Sequence, residues 1–570
     1  MRFSGFKAFG GRPANVRDID KNVANEQANN NDITAKRVGI SSLPRRQVLI
    51  TLAGVLLAMF LSSLDQTVVG TAMPRIITDL GGFTQYTWVT TAYIITSTIA
   101  IPITGKLTDM YGRKWFYVGG LAIFIAGSLL CGLSSNMPQL IFFRGFQGIG
   151  AGIMMANAFI VISDIFPPAE RGKYQGLVAG VFGLSSVIGP TLGGYITDTL
   201  SWHWVFFVNI PLGVLIVVLF IFFFPHLRPD NLKHRIDYLG ITTLILAVVP
   251  VLLALTWGGV EYPWLSARII GMFVFSAVMT VLFVIIESRS KEPIIPMWIF
   301  KYRIVSVSTF VMFITGFGMF GGIIFIPLFF QGVLGKSATS SGSFLTPMML
   351  GLVAGSIISG QILSRAGGHY KLQGAFGLAI MALGMFMLSQ MSVETSNATA
   401  ITNMVITGFG LGITMPLYVI AIQNALPYNV MGAATSTAAF FRSIGGAFGL
   451  AIFGSVMNNR FASEFTSGLP SAARAVIPGD LLESLTHNPQ ALFSTGASDQ
   501  LKSAFEKLGT QGAALFQQVL QTLKLALSSA ITEVFFIALI LVAVGWVANL
   551  FLKEIPLRNK HYQQGEGEGT

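Results

Sequence analysis

Long apolar runs recur along this chain, at approximately residues 48–72, 87–106, 115–134, 138–163, 173–197, 204–224, 238–258, 266–286, 305–330, 340–363, 372–391, 400–423, 432–456 and 529–552. Each is close to the ~20 apolar residues a helix needs to cross a hydrocarbon core. The pattern therefore predicts fourteen membrane-spanning helices, and an even number places both termini on one side.

The polar connections assign that side. With the amino terminus cytoplasmic, the short inner loops hold Lys106, Arg113, Lys114, Arg171, Lys173, Arg228, Lys233, Arg235, Arg289, Lys291, Lys301, Arg303, Arg365 and Lys371, and the outer ones only Arg75, Arg268 and Lys336. Arg45 and Arg46 stand just before the first span. Basic residues are retained on the cytoplasmic side, so both ends face the cytoplasm. Residues 1–46 are polar and rich in Asn, the composition of a disordered cytoplasmic tail. The first apolar run, near Val48, has no small-residue cleavage site before the next helix and is expected to stay as an anchor. Residues 457–528 mix polar, charged and apolar positions and read as a partly helical external loop, either a tolerated insertion or a lid or partner-binding element. Residues 557–570 form a second cytoplasmic tail.

Composition supports lipid as the main solvent. The chain is 53% hydrophobic and only 11% charged, against roughly 25% charged in soluble domains. Its mean hydropathy is +0.67. The net charge of +11 is spread over short loops rather than gathered in a stripe, which argues against nucleic acid as a partner. The single cysteine, Cys131, lies in an apolar run, so no disulfide framework, zinc cluster or paired-thiol motif is available. None of the six His residues falls in a predicted span, and there is no P-loop or HExxH sequence, so the chain is not expected to be an enzyme or to hold a metal. GFGMFG at 316–321 matches a dinucleotide fingerprint but sits inside an apolar span with no preceding strand, where glycines serve close helix contact.

A weak internal repeat organises the spans. GKLTDMYG at 105–112 has an echo in GQILSRAG at 360–367, an offset of 255, and Gly189, Pro190 and Gly193 fall opposite Gly445, Gly446 and Gly449 at an offset of 256. That spacing covers eight spans. A six-helix unit repeated at this distance leaves spans 7 and 8 between the halves: an N-terminal bundle over 47–225, two inserted helices over 226–304 and a C-terminal bundle over 305–556.

Ionisable groups inside spans cost ~2.5–3.5 kcal/mol on insertion scales and are functional candidates by default. Asp65 in span 1 and Arg144 in span 4 lie at similar depth, some six or seven residues from the outer ends, or ~10 Å. Low dielectric strengthens their attraction and lets small rearrangements move the affinity of Asp65 for a proton, so Asp65 is the candidate proton carrier and Arg144 the residue that biases it; the alternative is a fixed structural ion pair. Arg442 lies near the middle of span 13 without an acidic partner in its own half and either satisfies carbonyls at a helix break or serves substrate or gating. Glu533, a few residues into span 14, is expected to snorkel outward. The loop GKLTDMYGRK joins a helix-ending Gly105, a turn-permitting Gly112 and a cluster of Asp109, Arg113 and Lys114, which suits a conformational latch in which Asp109 pairs with an Arg or caps a helix of the other half. Gly183, Gly189, Pro190, Gly193 and Gly194 crowd span 5, where a close-packed, bent helix is expected. Trp88, Tyr93, Gln147, Asn157, Gln331, Tyr418, Phe440 and Phe441, with Arg442, are candidates for a central pocket, although residues of these types more often pack helices.

LDQTVVGTAMPRI at 64–76, GKLTDMYGRK at 105–114, RGFQGIGAG at 144–152 and GVFGLSSVIGPTLGG at 180–194 resemble, in order, motifs of the major facilitator superfamily. The first, and WHWVFFVNIP at 202–211, look like its fourteen-helix drug:proton antiporter branch, with His203 where Arg is usual. The resemblance implies an all-α integral membrane protein of two six-helix bundles plus two inserted helices. It also implies a proton-coupled multidrug antiporter working by alternating access, with Asp65 and Arg144 in coupling, the 105–114 loop as latch and the span-5 glycines as the antiport element. The expected partners are a small amphipathic substrate, protons and the lipid bilayer, with no cofactor beyond the proton gradient. A functional monomer in the bacterial cytoplasmic membrane is expected. A proton-coupled importer, a narrow-specificity metabolite exporter and a sensor or receptor remain the alternatives.

Overall fold

The computed structural model describes residues 44–80, 85–225, 235–259, 261–335, 338–366, 368–474 and 509–557, with Val476, Ile477, Gly479, Leu482 and Phe505. Of the expected tails over 1–46 and 557–570, residues 1–43 and 558–570 lie outside them, while Arg45 and Arg46 already belong to the first helix; also outside are most of the connection between Leu482 and Gly509 and the loop cations Arg228, Lys233 and Lys336.

Among the described residues, fourteen helices are long and apolar enough to span a membrane. They are α1 (Arg45–Leu80), α2 (Tyr86–Tyr111), α3 (Arg113–Gly132), α4 (Met137–Ile165), α5 (Pro168–Thr199) and α6 (Trp204–Phe223). The inserted pair, α7 (Tyr238–Trp257) and α8 (Ala267–Arg289), follows. The chain continues through α9 (Arg303–Gly332), α10 (Ala338–Ala366), α11 (Tyr370–Ser389), α12 (Asn397–Ala425), α13 (Met431–Gly468) and α14 (Gly509–Asn549). No strand occurs among the described residues; an isolated bridge joins Gly258 to Tyr262.

Local chemistry sets the boundaries. Asn136 accepts from the Gln139 N–H and starts α4, and Ser266 and Ser396 cap α8 and α12 in the same way. Gly112, at φ +93°, supplies the left-handed residue that separates α2 from α3. Gly105 does not end a helix as its sequence context suggests: α2 runs on to Tyr111, and the bare Gly105 lets α13 approach, since a Cβ there would meet the Ser436 hydroxyl and stand 2.7 Å from the Gly432 carbonyl.

Small residues bring the helices together, because apolar side chains gain little from leaving lipid and backbone proximity has to supply the packing. The two halves repeat one scheme. In the first, Gly189 and Gly193 of α5 lie against Thr67, Val68 and Thr71 of α1. In the second, Gly445 and Gly449 of α13 lie against Phe313 and Phe317 of α9. These are the positions related by the 256-residue offset. Contacts between the halves obey the same pseudo-symmetry: α5 packs on α10 and α2 on α13. Gly183 joins the α5–α10 seam beside Met349, whereas Gly194 has nothing within 4 Å, so the glycine run of span 5 divides between two neighbours and open space.

The α7–α8 pair is held at the side of this assembly, α7 touching α2 and α13. Trp88 meets Trp257 edge-on at 5.3 Å, Trp264 donates to the Ser455 hydroxyl at 2.9 Å, and Lys106 pairs with Glu292 at 2.5 Å. Little of α8 is buried beyond Ile269, Ser276, Phe283 and Glu287. The predicted external loop is shorter than its composition suggests. α13 and α14 continue into it from both sides, with Phe461 and Phe465 in the same core as Val519 and Leu523. Glu533 does not snorkel alone: it pairs with Arg460 at 3.1 Å.

Candidate transport site

Inside the N-terminal bundle, α1, α4 and α6 converge on one carboxylate. Asp65 is 1% exposed, and Arg144, equally enclosed, donates from Nη1 to its Oδ2 at 2.5 Å. The Gln147 amide donates to Oδ1 at 3.0 Å and the Asn209 amide to the same oxygen at 2.8 Å. Asn209 in turn donates to the Ser128 hydroxyl, which donates to the Phe206 carbonyl. The guanidinium has further holds. Its Nη1 donates to Gln147 Oε1 at 2.7 Å, its Nε to the Val89 carbonyl at 3.3 Å, and its Cζ lies 4.2 Å from the centre of the Tyr93 ring. Tyr93 is itself hydrogen-bonded to Ser62 at 3.1 Å. An ion pair out of water is tolerable only when its remaining donors and acceptors find partners, and here both Asp65 oxygens and the Nε and Nη1 of Arg144 have them.

A second cluster lies at the cytoplasmic end of the boundary between the halves. Asp109 on the last turn of α2 accepts from the Gly432 and Ala433 N–H groups at 3.1 and 2.9 Å, which caps α13 from the opposite half. Arg113 bridges Asp109, at 2.6 Å, and Asp164 of α4, at 3.0 Å. Alongside, Arg171 of α5 donates to Gln423 of α12 at 3.0 Å, and Gly172 and Gly360 touch backbone to backbone. The cytoplasmic ends of the halves are therefore joined in this conformation. Of the expected latch, Asp109, Arg113, Gly105 and Gly112 take part; Lys114 turns away and donates to the Ile221 carbonyl of α6 at 2.7 Å.

The pocket expected from sequence is not assembled as one group. Tyr93 and Gln147 belong to the Asp65 cluster. Trp88 docks α7, and Phe440 packs with Leu244 and Leu252 of the same helix. Tyr418 is fully buried in the C-terminal bundle, where it donates to Asn549 at 2.9 Å. Both amide atoms of the buried Asn157 lack a hydrogen-bond partner, and Gln331 stands near the outer end of α9. Phe441 meets Phe300 edge-on, and Arg442 lies over Phe159 of α4 at 5.6 Å. Sequence reasoning missed Asn209, Ser128 and Asp164. Asn209 carried a signal, being a lone amide in an otherwise apolar run.

A helical membrane protein with pseudo-symmetric halves, an enclosed carboxylate–guanidinium pair in one of them and a cytoplasmic seam between them has the architecture of a secondary transporter. The Major Facilitator Superfamily profile matches residues 55–450, and the chain belongs to that family. It is 44% identical to the "Multidrug transporter protein MdtP" of Bacillus subtilis (strain 168) over 90% of this chain and 94% of that one. It is 40% identical to "Multidrug resistance protein 3" of the same organism over 88% and 94%. Among solved structures, the proton:xylose symporter XylE shares the fold with a TM-score of 0.52 and 12% identity, covering 89% of this chain and 96% of that chain. The human organic anion transporter MFSD10 does so at 0.54 and 13%, covering 84% and 100%.

Proposed function

We propose that this protein exports small amphipathic molecules in exchange for protons, by alternating access, from the cytoplasmic membrane of a bacterium, as a monomer and with the proton gradient as its only energy source. The observation that carries the reading is the enclosed Asp65, ionisable, cut off from bulk water and met by three donors from two other helices. The names of the two Bacillus relatives support drug export as the task.

The chemistry follows from the costs. Removing one member of a buried ion pair typically costs ~3–5 kcal/mol, because the other is left uncompensated. Protonating Asp65 would impose that cost on Arg144 unless the guanidinium had other partners. It has them in Gln147 Oε1, the Val89 carbonyl and the Tyr93 face. Against what remains stands the membrane potential, which supplies ~2.3 kcal/mol per charge across 100 mV. A proton arriving from outside neutralises Asp65 and loosens α1 from α4 and α6. The cytoplasmic seam then opens, the proton leaves inward and substrate enters.

The test is Asp65→Asn in proteoliposomes, reading substrate-driven proton release with a pH-sensitive dye and substrate exchange separately. Coupled proton movement is expected to vanish while substrate exchange persists, and Asp65→Glu is expected to restore part of the coupling. Undiminished proton movement in Asp65→Asn removes that residue from the role.

A further inference from the structure

Arg442 is an interior cation set apart from the Asp65 and Asp109 clusters. It lies eleven residues beyond Met431, the start of α13, or ~16 Å from that end at the helical rise. Asp65 and Arg144 neutralise each other, and Asp109, Arg113 and Asp164 form a closed group at the cytoplasmic end. Arg442 makes no hydrogen bond and no ion pair with any described residue; its one partner is the ring face of Phe159, 5.6 Å away. No carbonyl at a helix break holds it.

Its position matters as much as its isolation. Phe159 is on α4, so the guanidinium reaches across the boundary between the two halves, roughly two to three turns outward of the Asp109 cap on Gly432 and Ala433. The side chain is half-buried rather than enclosed, and so is the neighbouring Phe441. One turn further along α13, Phe320 of α9 covers Gly446. A cation placed in an apolar, partly open boundary without a counter-charge attracts an anion and repels a second cation. The planar fork of a guanidinium matches the two oxygens of a carboxylate, and the surrounding aromatic rings suit an apolar body.

We propose that Arg442 anchors the carboxylate of the transported molecule, which makes amphipathic organic carboxylates the substrate class of this chain. The proposal rests on the transport reading above but not on its proton coupling. It is tested by equilibrium binding to the full-length protein in nanodiscs, using anthracene-9-carboxylate, its methyl ester and anthracene-9-methylammonium, read as quenching of tryptophan fluorescence. The wild type is expected to prefer the carboxylate to the other two. Arg442→Gln is expected to weaken the carboxylate at least tenfold and leave the ester within twofold. Arg442→Lys, which keeps the charge but loses the fork, should fall between them, and thermal unfolding of both variants checks that they are folded. A wild type that binds the three probes alike or binds none overturns the proposal, as does an Arg442→Gln variant that keeps carboxylate affinity or loses carboxylate and ester equally. Because binding needs no gradient, failure of proton coupling in Asp65→Asn and failure of this anchor are read in separate experiments.

Discussion

Replacing Asp109 with Ala should open the cytoplasmic seam. The carboxylate both caps α13 from the other half and pairs with Arg113 within its own half. Truncation does not strand the guanidinium, because Arg113 keeps Asp164 at 3.0 Å. The loss is therefore mainly the cross-half cap. Deleting an N-cap costs ~0.5–2 kcal/mol, and the negative charge at the positive end of α13 adds ~0.3–1 kcal/mol. About 2 kcal/mol in total moves the closed-to-open ratio by roughly 30-fold, at tenfold per 1.4 kcal/mol. Asp109→Asn retains a neutral cap and should shift the ratio only a few-fold. Spin labels at Lys173 and Arg365, which line one cleft between α5 and α10, report the seam by double electron–electron resonance in a Cys131→Ser background. A longer-distance population growing in the order wild type, Asn, Ala is expected. Identical distance distributions for wild type and Ala would refute the assignment of closure to this cap.

Three further variants probe the same framework. Gly360→Leu should abolish closure in the same distance measurement, because even a Cβ there would come within 2.7 Å of three backbone atoms of Gly172. Asn209→Leu removes a donor shared between Asp65 and Ser128, and should cost ~1–3 kcal/mol in thermal or denaturant unfolding, because buried acceptors lose a partner. Arg460→Ala removes the pairs to Glu464 and Glu533, whose side chains are 38–46% exposed, so its effect on Tm should correspond to less than ~1 kcal/mol.

The span count was legible because fourteen apolar runs, each close to the length a bilayer demands, leave little freedom. Asp65, Arg144 and Asp109 were legible because charge inside or at the end of a span is costly enough to stand out. Gln147 and Tyr93 were visible only as polar or aromatic positions. Their place around Arg144 depends on helix rotation, which sequence spacing within one span does not fix between spans. Gly105 misled for a related reason: its neighbours in sequence suggest a helix end, whereas the residues it accommodates, Gly432 and Ser436, come from a helix more than three hundred positions away.

By itself the sequence determined the number of helices, the side on which the basic loops lie and the presence of a repeat, because hydrophobic length, loop charge and glycine spacing act locally along the chain. Tertiary structure alone decided that Asp65 is met by Asn209, that Asp109 caps α13 and that Arg442 faces Phe159 with no counter-charge among the described residues. Those facts depend on which faces of separate helices meet, and in lipid that choice is made by backbone proximity and polar pairing between segments rather than by any signal within one of them.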